Sequence, residues 1–136
     1  MPMVPSPIAA VAYGIVKVVG YAYFAKGLNA VSSESVRPYK FGIAKTAIGL
    51  AGGVAYLFFL SHASEPHAPS DLEAFLGAIP VRLAAWSIAL GIFYGFRRKP
   101  QIICFAVLVG TGWSYALDGL MWIIYKLIPG MVMLLC

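Results

Sequence analysis

The sequence predicts an all-α integral membrane protein, folded as a four-helix antiparallel transmembrane bundle. Three observations lead there: a composition too poor in charge for a water-facing surface, four apolar segments of spanning length, and basic residues in alternate connections. Hydrophobic residues make up 61% of the 136-residue chain and charged residues only 11%, against roughly 25% charged in ordinary soluble domains. The mean hydropathy of +0.84 agrees. In such a chain a net charge of +5 does not point to nucleic acid, because basic residues in membrane proteins mark the cytoplasmic side.

The length suits a single domain, and each apolar segment comes close to the ~20 residues a spanning helix needs. The predicted spans are residues 8–31, 41–60, 72–96 and 102–128. The first begins within "MPMVPSPIAAVAYG", which lacks a basic leader and predicts no cleavable signal peptide. "VSSESVRPYK", "SHASEPHAPSD" and "RRKPQ" separate the spans as polar, proline-containing connections. Connections this short make sequential neighbours antiparallel.

Charge sets the orientation. Lys26, Arg37, Lys40 and Lys45 flank or occupy the first connection, and Arg97, Arg98 and Lys99 fill the third. The second holds Glu65, Asp71 and Glu73 without Lys or Arg. The positive-inside rule therefore predicts that loops 32–40 and 97–101 are cytoplasmic and that both termini lie outside. Compact loops and this charge pattern fit a bacterial inner membrane. Lys126 dissents, and a lysine near a helix end can snorkel to the outer headgroups.

The third segment carries a complication. "SDLE" at 70–73 reads as a capping box, yet Pro80 follows two turns on, where proline kinks or interrupts a helix. The segment is thus either one bent helix or an interfacial helix followed by a span that starts at Pro80.

Charges at membrane depth are the most specific feature. Lys17 lies nine residues from the outer start of the first span and Asp118 ten from the outer end of the fourth. At ~1.5 Å per residue both sit about 14 to 15 Å deep, and Arg82 reaches a similar level if the third helix is continuous. A charge at the bilayer centre costs ~2.5–3.5 kcal/mol on insertion scales and usually turns inward to pair. The predicted site is therefore an interior polar cluster of Lys17, Arg82, Asp118, Ser114 and Tyr115. It belongs to a stripe of Thr111, Ser114, Tyr115, Asp118, Trp122 and Tyr125 on the fourth helix, facing Tyr13, Lys17 and Tyr21 on the first and Arg82 and Trp86 on the third. The trio of charges sums to plus one, which suits an anionic group such as a lipid phosphate or a partner's carboxylate.

Gly42, Thr46, Gly49 and Gly53 form a ridge of small residues on the second helix, the spacing that lets helix backbones approach closely. Cys104 and Cys136 read as small apolar residues, with no metal-type pairing. His62, Glu65, His67 and Asp71 match no metal motif, and neither a metal nor a cofactor is predicted. No catalytic motif occurs: there is no G-x-S-x-G, no H-E-x-x-H and no phosphate-cradling loop before a helix.

These features predict a small multipass protein that acts by binding, with membrane lipids and other membrane subunits or copies of itself as partners. It would serve as an accessory or structural subunit of a larger assembly, or as a homo-oligomer. An oligomeric transporter or channel lined by Asp118, Lys17 and Arg82 is the second expectation. A membrane-embedded enzyme acting on lipid-linked substrates is the third.

Overall fold

The computed structural model describes residues 7–33, 35–63, 76–95 and 100–127, which form four helices and, among the described residues, no strand. They are α1 (Pro7–Ser32), α2 (Pro38–Ala63), α3 (Ile79–Tyr94) and α4 (Pro100–Leu127). Each carries proline as its first or second residue: Pro7, Pro38, Pro80 and Pro100. Proline belongs there because its fixed φ suits a helix and its missing N–H would have had no intrahelical partner. Pro80 lies in the first turn of α3, after an N-cap at Ala78. Residues 72–75, on which the choice between one bent helix and a separate interfacial helix depends, lie outside the described residues.

Each helix packs on two neighbours, in the cyclic order α1, α2, α3, α4 and back to α1. Pairings along the helices fix the directions. Tyr13, Lys17 and Gly20 of α1 meet Asp118, Ser114 and Trp113 of α4 in reverse order, while Phe41 and Lys45 of α2 meet Tyr94 and Trp86 of α3. Sequential helices therefore run antiparallel. At the end bearing the first connection, the Asn29 Nδ2 donates to Val36 O at 2.7 Å and the Tyr94 hydroxyl donates to Asn29 Oδ1 at 2.8 Å. A left-handed Gly95, φ 69°, terminates α3 and returns its N–H to Gly91 O.

Trp86 is the hub of the core. It is fully buried and touches Tyr21 and Phe24 of α1 and Phe41 of α2, at centroid separations of 5.5, 4.7 and 5.9 Å. The ring can lie against α4 because Gly110 has no side chain: a Cβ there would stand 2.6 Å from the indole. Gly20 gives the same room to Leu117, and Gly42 lets α2 come against the Val18 carbonyl of α1.

The distribution of polarity is inverted relative to a bundle in water. Lys17, Lys45, Arg82 and Asp118 are only 2 to 5% exposed, whereas Ile15, Phe58, Ile92 and Phe105, one from each helix, are more than half exposed. By length and composition, α2 over Pro38–Phe59 and α4 over Pro100–Ile124 are sufficient to cross a membrane. α3 is apolar but has 16 residues, about 24 Å at ~1.5 Å per residue. The helix count matches the sequence expectation, and two of the four helices meet the spanning criterion. Ser70 to Glu73, the loop acids, His67 and the Arg97–Lys99 run lie outside the described residues.

Gly42 provides the test of this packing. Gly42→Ala should destabilise the protein by about 1–3 kcal/mol, the usual cost of overpacking, because the new methyl meets backbone. Gly112→Ala, where a Cβ meets nothing within 4 Å, should be neutral or slightly stabilising. Thermal unfolding in detergent, followed by circular dichroism, reads both.

Candidate functional site

The inverted bundle buries one charge from each helix, Lys17, Lys45, Arg82 and Asp118, and three of them meet directly. Asp118, about two and a half turns from the described end of α4, is the centre. Its Oδ1 forms an ion pair with Lys17 Nζ of α1 and its Oδ2 one with Arg82 Nη1 of α3, the latter at 2.6 Å. The Tyr13 hydroxyl donates to Oδ1 at 3.1 Å. The structure thus brings together Lys17, Arg82 and Asp118, and it buries Arg82 instead of leaving it at the interface.

Ser114, one turn before Asp118, ties this cluster to the core. Its Oγ accepts from Trp86 Nε1 at 2.9 Å and shares a hydrogen bond with the Tyr21 hydroxyl at 3.1 Å. Its carbonyl accepts from Lys17 Nζ at 3.3 Å. Tyr115 acts from the side: the Arg82 guanidinium carbon lies 4.1 Å from its ring centroid, a cation–π distance. Thr111 is buried on the same stripe and donates to Val107 O. Trp122 is a correction, since it is 49% exposed. Successive steps of four drift about 40° each around a helix of 3.6 residues per turn, and Trp122 has rotated off the face that holds Ser114 and Asp118. The side chains of Tyr125 and Lys126 lie outside the described residues.

Lys45 is a further correction. It reads in the sequence as a cytoplasmic flank, yet it is 2% exposed and its Nζ lies 4.9 Å from the ring centroids of both Tyr21 and Trp86. α2 begins at Pro38 rather than near 41, which draws Lys45 two turns into the helix. The sequence holds the signal: Gly42, Lys45, Thr46, Gly49 and Gly53 share one helical face, so a ridge turned inward must take the lysine with it. The described residues therefore bury three cations and one carboxylate, of which Lys17 and Arg82 are seen paired with Asp118.

The small residues have divided duties. Gly42 serves contact between α1 and α2, and Thr46 donates to Gly42 O at 2.8 Å. Thr46, Gly49 and Gly53 instead border a cavity of about 180 Å³ lined by α1, α2, α3 and Ser114 of α4. Lys17, Lys45 and Arg82 line it, whereas Asp118 stands behind Arg82 and Lys17 and is not part of the wall. Leu50, Leu57 and Val81 supply apolar wall.

The arrangement offers charge and hydrogen-bond donors but no nucleophile activated by a neighbouring base. Ser114 Oγ is engaged with Trp86 and Tyr21, and the described residues contain no group of three or more His, Cys, Asp or Glu placed to hold a metal. Comparison with known protein families, curated proteins and solved structures finds no match.

Removing one partner of a buried ion pair costs about 3–5 kcal/mol, because the other charge is left buried and alone. Asp118→Leu should therefore be the most destabilising single change in the cluster, since it strands both Lys17 and Arg82. Adding Arg82→Met to Asp118→Leu should restore part of the loss. A double-mutant cycle on thermal stability checks this, and strictly additive losses would refute the coupling.

Proposed function

We propose that this chain is a small four-span membrane protein that acts by binding, through a cationic cavity held within its own helices. The observation that carries this reading is the inverted polarity: charges inside, large apolar side chains on the outward face of every helix. In water that surface would aggregate, since exposed apolar patches of such extent mark interaction surfaces. In a bilayer it matches hydrocarbon, and the interior charges satisfy one another instead of lipid. α1 has length enough to cross, and the 16 residues of α3 can be accommodated by local thinning of the bilayer, at fractions of a kcal/mol per Å.

Binding is favoured over catalysis because the cluster lacks a reactive group. It is favoured over transport through a single chain because Trp86, Phe41 and Leu90 fill the interior on the side of the cavity nearer the first connection. The protein is then an accessory subunit of a membrane assembly or a homo-oligomer in a bacterial inner membrane, with loops 32–40 and 97–101 cytoplasmic. Mass measurement in mild detergent distinguishes the two forms: a stable hetero-complex or a closed ring of identical chains.

Orientation gives the direct test. In a background with Cys104→Ser and Cys136→Ser, Ser33→Cys should react with a membrane-impermeant maleimide only after the cells are opened. His62→Cys should react in intact cells. Labelling of both from the same side would overturn the four-span reading.

A further inference from the structure

The cavity wall contains an unusual surplus of donors at one residue. Arg82 is 5% exposed and its Nη1 carries the ion pair to Asp118. Among the described residues none of its three guanidinium nitrogens has a hydrogen-bond partner, and Nε and Nη2 lack even the ion-pair contact that Nη1 has. These two N–H groups form one edge of the planar guanidinium, the side-on fork that grips two oxygens of a carboxylate or phosphate at once. Leaving such an edge buried and unfilled is unfavourable, the more so because the group is charged. Asp118 makes its contact at Nη1, and the Tyr115 ring, with its centroid 4.1 Å from the guanidinium carbon, supplies no carboxylate or phosphate oxygen.

We propose that the cavity is a binding site for the phosphate group of an anionic lipid, with Arg82 as its side-on anchor. Three features select this ligand, and the proposal rests on the membrane-embedded reading above. First, Lys17 and Lys45 line the same cavity, so positive charge approaches from three helices. A carboxylate has two oxygens, both taken by the fork, whereas a phosphate keeps others for the lysines. Second, the volume of about 180 Å³ suits a headgroup, given that an apolar cavity of about 150 Å³ admits a benzene ring. Third, Leu50 and Leu57 line the cavity and are also 49% and 42% exposed. The cavity therefore reaches the apolar outer surface along α2, where a lipid tail can leave while its phosphate stays within. Gly49 and Gly53 line the cavity; at Gly49 a Cβ would come 3.6 Å from Lys45 Nζ, so a bulkier side chain would occupy the space the phosphate needs.

The experiment uses the full chain, delipidated in neutral detergent, with thermal unfolding as readout. Phosphatidic acid should protect at micromolar concentrations, phosphatidylcholine should protect at least about tenfold less effectively, and inorganic phosphate should do nothing at the same concentration. Arg82→Lys keeps the charge but loses the fork, and should weaken phosphatidic acid binding by about tenfold or more, the value of one charge-assisted hydrogen bond. Gly49→Leu leaves every charge in place and should abolish protection by filling the cavity, which keeps the test sound if the arginine variant folds poorly. Equal protection by phosphatidylcholine, full protection by inorganic phosphate, or unchanged affinity in Gly49→Leu would each overturn the lipid site. A chain whose loops label as expected yet ignores phosphatidic acid sinks this inference alone, whereas loops on the wrong sides sink both readings.

Discussion

One carboxylate organises this molecule. Asp118 accepts Lys17 from α1 and Arg82 from α3 and sits on α4, so three helices are registered against one another by a single side chain. Apolar packing alone would not do this, because smooth apolar faces slide with little penalty, whereas a buried charge tolerates only the register that gives it a partner. The level of the helices, the inward turn of their polar faces and the place of the cavity all follow from that pairing. Ser114 carries the same registration to Trp86, the hub of the apolar core.

The cluster also separates two regions of different character. On the side of the first connection, Trp86, Phe41, Leu90 and Tyr94 fill the interior, and glycines at 42 and 110 bring backbone close to backbone or ring. On the other side, small residues of the same α2 ridge face open space. Glycine spacing by itself does not distinguish these uses. What differs is the partner: Gly42 meets a carbonyl of α1 at the tight crossing, while Gly49 and Gly53 stand across from the charged wall.

Much of the architecture was legible in the sequence because it rests on periodicity and punctuation. Four apolar runs became four helices, and the prolines that interrupt the sequence mark where each helix begins. The meeting of Lys17 with Asp118 followed from counting residues from the helix ends. Lys45 was not legible by position, since a lysine near a basic loop reads as a flank until the true start of α2 is known. Trp122 is misleading for the opposite reason: repeated steps of four run beyond the arc that one helix face can hold. The cavity left no trace in composition, because it arises from side chains that are absent.

Lys17 and Asp118 stand near opposite ends of the chain, and this has a bearing on how the protein is made. Synthesis proceeds from the N-terminus, so the first helix delivers its lysine long before the fourth supplies the matching carboxylate. Throughout that interval α1 and α3 hold cations whose acidic partner does not yet exist. Among the described residues the buried carboxylate comes with α4, so a chain cut short before Asp118 retains buried cations on α1, α2 and α3. The carboxylate that gathers α1 and α3 is thus the latest of the three charges to be made, and their pairing waits on it.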